Sequence, residues 1–165
     1  YEKNGMHANG STGIAVLRRD GFVSYSAHKE KGTLLTRPVT FTGEYMFVNV
    51  NCPNGELKVE ILDADNNVMP GFSANDCKPL STDSTIAQIK WKNKKDLSAL
   101  KNQPVRFKFY LTNGDLYSFW VSPDTEGASN GYNAAGGPGF DGGTDREGKR
   151  AYKKAEAFPN LLERC

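Results

Sequence analysis

Four aspartates, Asp63, Asp65, Asp76 and Asp83, fall in or beside one turn-rich stretch of this 165-residue chain. Paired carboxylates can hydrolyse a glycosidic bond when an acid and a base or nucleophile face each other about 5–9.5 Å apart. A small hydrolase using the Asp63–Asp83 loop is therefore one reading. The neighbouring residues, Ala64, Asn66, Asn67, Ser73 and Asn75, lack the apolar bulk that raises an acid's pKa. Turn formation accounts for the same aspartates without any chemistry.

Calcium is a second use for this loop. Asp63, Asp65 and Asn67 alternate as calcium-loop oxygen donors do, but the later Glu and the flanking helices of an EF-hand are missing. Nucleophile chemistry has less to work with. His7 and His28 are the only histidines, and neither has a cysteine or serine motif beside it. The glycine-rich stretch around Gly136 lacks the Lys-Ser/Thr that a phosphate loop needs. No other cofactor is implied, and the chain reads as non-enzymatic.

Aromatic residues offer binding rather than catalysis, because a sugar's apolar face stacks on an aromatic ring while polar neighbours hold its hydroxyls. Trp91 is in phase with Ile89, and Trp120 with Leu116, so both are expected in the core. Tyr45, Phe47, Tyr110, Tyr117 and Phe119 are out of phase and point outward on the same reasoning. Tyr110 shares its face with Arg106 and Lys108, and Gln88 and Lys90 could lie next to it. That set suits a sugar-binding face, an inter-domain contact or an ordinary mixed surface.

The elements that must position these groups are strands. In Glu56-Leu57-Lys58-Val59-Glu60-Ile61 and Val105-Arg106-Phe107-Lys108-Phe109-Tyr110-Leu111, apolar and polar side chains alternate at every step, burying one face and wetting the other. Strands are expected at 12–18, 21–27, 33–41, 44–51, 56–63, 84–91, 105–112 and 115–121, joined by turns such as Pro53-Asn54-Gly55 and Thr112-Asn113-Gly114-Asp115. About eight strands at this spacing predict an all-β fold, an antiparallel, jelly-roll-like sandwich. The expected layout is a lead-in over 1–11, a sandwich over 12–122, a Gly-rich loop or linker over 123–144, and a polar tail over 145–165 with a weak helix at 145–157.

Composition narrows the function classes. Hydrophobic residues make up 38%, enough for a packed core, and 21 basic residues nearly balance 19 acidic ones. That argues against a nucleic-acid surface, which concentrates basic residues on one face. No apolar run approaches the roughly 20 residues of a membrane span. Tyr1 is not Met, so a processed or excised piece is expected. Cys52, Cys77 and Cys165 cannot all pair within one chain. A Cys52–Cys77 bridge and two buried free thiols both fit.

A set of short motifs then points further. They are Leu17-Arg18-Arg19-Asp20-Gly21-Phe22-Val23-Ser24, Gly32-Thr33-Leu34-Leu35-Thr36-Arg37-Pro38, Val48-Asn49-Val50, Glu56 to Asp63, Pro70-Gly71-Phe72-Ser73, Asp76-Cys77, Asp83-Ser84-Thr85, Leu116 to Trp120, and Ala134 to Phe140. Together, over roughly residues 10–141, they resemble the C-terminal β-sandwich region of large bacterial proteins related to five-bladed-propeller glycoside hydrolases, the invertase, levanase and arabinanase-like group. The resemblance implies an accessory domain behind an upstream propeller that would carry the catalytic carboxylates. It implies a secreted, periplasmic or cell-surface setting and a polysaccharide or oligosaccharide partner, but assigns no ligand residue. The expected role is glycan binding by Tyr110, Arg106, Lys108 and Gln88, or bracing of the propeller.

Overall fold

The computed structural model describes residue 13, residues 17–133 and residues 139–156. Among the described residues seven strands form two antiparallel sheets: β1 (Tyr25–Ala27), β2 (Gly32–Leu35), β3 (Tyr45–Asn51), β4 (Glu56–Leu62), β5 (Asp83–Gln88), β6 (Arg106–Thr112) and β7 (Gly114–Ser122). One sheet has the order β1-β7-β3-β5 and the other β2-β6-β4. The all-β sandwich expected from the alternation is therefore present. Residues 17 and 18 of the expected first strand are not in a strand. Arg18 to Gly21 close a turn instead, with the Gly21 N–H donating to the Arg18 carbonyl at 2.9 Å. Residues 12 and 14–16 of that expected strand lie outside the described residues.

β4 and β6 follow the simple rule. Leu57, Val59 and Ile61 face Phe107, Phe109 and Leu111 across a regular ladder, and all six are fully buried or nearly so. Val48, Val50 and Leu116 meet them from the other sheet in a single core. Trp91 lies in this core as expected, edge-on to Phe72, and its indole N–H donates to the Val59 carbonyl at 3.1 Å. Cys52 and Cys77 are buried there as free thiols, which removes the bridge alternative. Burial pushes the Cys77 thiol above its ordinary range.

β7 departs from strict alternation. Its register against β3 runs Asn49 to Ser118 and then Val50 to Leu116, so Tyr117 is an extra residue on β7. A bulge of this kind shifts the phase of every side chain beyond it. Leu116 still faces inward, but from there the pattern inverts. Phe119 turns into the core against Phe107 and Phe109, and Trp120 turns outward onto Phe47, with ring centroids 5.9 Å apart. The inward placement expected for Trp120 and the outward one expected for Phe119 are thus both corrected by one inserted residue.

β3 is buried on both sides, Phe47 at 0% exposure and Asn49 at 1%. The cover over its outer side is the chain after Ser122. Its described residues 123–133 and 139–148 are loop, followed by a helix, α1 (Lys149–Glu156), which starts later than the expected helix. Trp120 donates to the Gly127 carbonyl, and Ala128 and Ala151 are buried beneath the loop and helix.

The cover is fastened at Asp145, which has 0% exposure. Its carboxylate accepts from the backbone N–H groups of Ser129, Glu147 and Gly148 and from the Arg19 guanidinium at 2.9 Å. Gly148 sits at φ +56, and a Cβ there would lie 2.2 Å from the Glu126 carbonyl oxygen, so only glycine fits. Burial alone would raise the Asp145 pKa. The Gly148 and Ser129 N–H groups and Arg19 outweigh it and hold the group below the usual carboxylate range.

Removing one member of a buried ion pair typically costs about 3–5 kcal/mol. Asp145→Ala is expected to lower unfolding stability by about that much in urea and to open Trp120 to acrylamide quenching. Because the native pKa is depressed, Asp145 stabilises the fold fully above the unfolded-state value of about 3.9 and loses this contribution as pH falls through the native value. Asp145→Asn should therefore flatten the acid side of the stability–pH curve. An acid limb as steep as the unsubstituted protein's would show that other carboxylates govern it.

Candidate functional site

The cover lies on one sheet; the outer face of the other is half-buried along β6 and β4 and exposed at Lys31, Thr33 and Leu35. β6 is its middle strand, so the polar phase of β6 lies between β2 and β4. Tyr110 stands opposite Thr33 and Lys58, Lys108 opposite Leu35 and Glu60, and Arg106 opposite Leu62. The expected trio of Arg106, Lys108 and Tyr110 is thus brought together on an outward face.

The tyrosine is held from several sides. Its hydroxyl donates to Glu60 Oε1 at 3.0 Å, while Glu60 Oε2 accepts from the Ala74 N–H at 3.2 Å. Lys108 Nζ lies 5.2 Å from the ring centroid and Lys31 Nζ 5.4 Å, both within cation–π reach. The Tyr110 hydroxyl beside it, with Glu60 adding to the effect, holds the Lys108 ammonium above its ordinary pKa. Arg106 Nε is buried without a hydrogen-bond partner. Among the described residues, Lys31, Arg106 and Lys108 form no ion pair with a carboxylate.

Gln88 is elsewhere. It belongs to β5, at the edge of the other sheet, opposite Phe47. There it lines a shallow groove of about 520 Å³ with Lys78, Leu80, Lys90 and Lys149. The expected neighbourhood of Gln88, Lys90 and Tyr110 is corrected on this ground: β5 pairs with β3, and side-chain alternation carries no information about which strands pair.

The aspartates do not converge as a site. Asp63 Oδ1 accepts from the N–H groups of Asp65 and Asn67, and Oδ2 accepts from Asn67 Nδ2. The hydrogen bonds from Asn67, and then that from Asp65, lower the Asp63 pKa and spend the carboxylate on the turn after β4. Asp76 accepts from the Ser73 hydroxyl. Asp83, on the other sheet, pairs with Arg18. Among the described residues no group of three or more His, Cys, Asp or Glu side chains could hold a metal ion.

His28 lines an open, polar cleft of about 310 Å³ at the strand ends, beside Ser26, Asn51, Asn113 and Asp115, and the Ser26 hydroxyl donates to Asp115. His7 lies outside the described residues. A Gly-x-Ser-x-Gly spacing occurs at Gly127 to Gly131. It sits in the covering loop, where Ser129 Oγ accepts from the Gly131 N–H, and not on the strand-to-helix turn that exposes a nucleophile.

Sequence reasoning missed Lys31 and Glu60 as members of the Tyr110 cluster. Glu60 was in phase with Lys58 on β4, but only the pairing of β4 with β6 brings it to Tyr110. It also missed Arg18 and Arg19 as the groups that tie the outer side of β3 to its cover. No family, no curated protein and no solved structure was found to match this chain.

Tyr110→Phe removes the hydroxyl that bonds Glu60 and leaves the ring in place. It is expected to cost about 0.5–1.5 kcal/mol of unfolding free energy, read as a shift in the urea midpoint at constant slope.

Proposed function

We propose that this sandwich is a non-catalytic accessory module of a carbohydrate-active protein and binds glycan on the outer face of β2-β6-β4. The observation that carries this reading is the setting of Tyr110. Its hydroxyl is fixed by Glu60; Lys108, Lys58 and Lys31 lie around it, and Arg106 follows on the same outward face four residues back along β6. A sugar ring stacked on the tyrosine would gain apolar contact, and the surrounding side chains would bond its oxygens. A flat sheet face suits a chain of sugars better than a single one, since it has no end wall. The resemblance of the sequence motifs to sandwiches behind propeller glycoside hydrolases adds independent support and suggests a protein acting outside the cytoplasm.

A second reading, a brace against an upstream propeller, is favoured by a different observation. Leu17, Phe22 and Val23 are 54%, 69% and 78% exposed around the Arg18–Gly21 turn. Three large apolar side chains in one short exposed segment suit a partner surface.

Tyr110→Ala separates the two. On the glycan reading it weakens binding about tenfold or more, equivalent to about 1.4 kcal/mol, in affinity electrophoresis against the polysaccharide that the unsubstituted chain retards on. Unchanged retardation of the variant would remove Tyr110 from the binding face, and no retardation of the unsubstituted chain on any polysaccharide would favour the brace.

A further inference from the structure

We infer that the ligand of the Tyr110 face is an anionic saccharide, bearing carboxylate or sulfate groups. This rests on the glycan-binding reading and narrows it.

Donor chemistry favours an anion. Lys and Arg side chains only donate hydrogen bonds, whereas a neutral sugar hydroxyl both donates and accepts. Lys31, Lys108 and Arg106 have no carboxylate partner among the described residues. The two carboxylates on the same face are engaged, Glu56 with Lys58 at 3.1 Å and Glu60 with the Tyr110 hydroxyl and the Ala74 N–H. The cations without a carboxylate partner form a donor-only group. Its complement is an acceptor-only group, and carboxylates and sulfates are of that kind. Charge assistance makes such bonds stronger than those to a hydroxyl.

Charge placement favours it as well. Lys31 and Lys108 direct two ammonium groups at one ring, each within 5.4 Å of its centroid. An anion beside that ring meets both. The face carries Lys31, Lys58, Arg106 and Lys108 against Glu56 and Glu60, an excess as large as the formal charge of +2 on the entire chain. Tyr110 supplies the aromatic ring, and the lysines over it select for charge.

The test is affinity electrophoresis of the purified chain in polygalacturonate and in the neutral galactan made by reducing its carboxyls, with dextran sulfate and dextran as a second matched pair. Each is run at low and at roughly physiological salt, where screening over about 8 Å weakens exposed charge contacts. The proteins are the unsubstituted chain, Tyr110→Ala, the double variant Lys31→Ala/Lys108→Ala, and a control of equal charge loss, Lys78→Ala/Lys90→Ala, in the groove beside β5.

The expected result is at least tenfold tighter binding to a charged polymer than to its neutral partner. The Lys31/Lys108 variant should lose most of that difference, and the Lys78/Lys90 control should keep it. Preference within the charged pair identifies carboxylate or sulfate as the recognised group. Equal binding to charged and neutral polymers that still depends on Tyr110 overturns the anionic inference and leaves glycan binding standing. Equal losses in the two lysine variants overturn it as well, by making the attraction diffuse. Binding to none of the four polymers removes the glycan reading itself.

Discussion

The buried ion pair between Arg19 and Asp145 joins a turn that precedes the first strand to a loop that follows the last one. β3 makes such a closure necessary. It is a central strand whose outer side carries Phe47 and Asn49, which must both be removed from water or, for the asparagine, be hydrogen-bonded. Asn49 donates to the Arg19 carbonyl and accepts from Arg18, so the Arg18–Gly21 turn is seated on the strand it helps cover. Asp145 then gathers three backbone N–H groups and the Arg19 guanidinium. Isolated buried carboxylates are costly; this one is satisfied by every group around it.

The bulge at Tyr117 belongs to the same arrangement. It changes which side of β7 faces out, delivers Trp120 to Phe47 and leaves the Tyr117 ring under the Arg18 guanidinium, 4.8 Å from its centre. Arg18 also reaches the Val50 carbonyl, at the residue where the register slips. One irregularity in the ladder thus supplies both the aromatic floor of the cover and a seat for the arginine that anchors the turn.

The cover over β3 lies on the β1-β7-β3-β5 sheet, and the outer face of β2-β6-β4 carries the Tyr110 cluster. There the polar phase of β6 places a tyrosine and two cations in a row, and neighbouring elements add Lys31, Lys58 and Glu60. Rigidity comes from the sheet and from the Glu60 bond to the tyrosine hydroxyl. Chemical character comes from Lys31, Arg106 and Lys108, which form no ion pair with a carboxylate among the described residues. These two properties, a fixed ring and cations without a carboxylate partner, are what the proposed function uses.

Much of this was legible in the residues alone. Alternation over Glu56–Ile61 and Val105–Leu111 determined two strands, their inward faces and the common outward side of Arg106, Lys108 and Tyr110, because a strand's period of two is a local steric property. Trp91 followed from the same rule. Trp120, Phe119 and Gln88 did not. A bulge is created by two strands together, and the partner of an edge strand is chosen by the whole topology, so neither has a signature in a single segment. The turn role of Asp63 was visible in Asp63–Asn67, since its hydrogen bonds are made within five residues. The pairing of Arg19 with Asp145 spans most of the chain, and only the folded sandwich brings the two together.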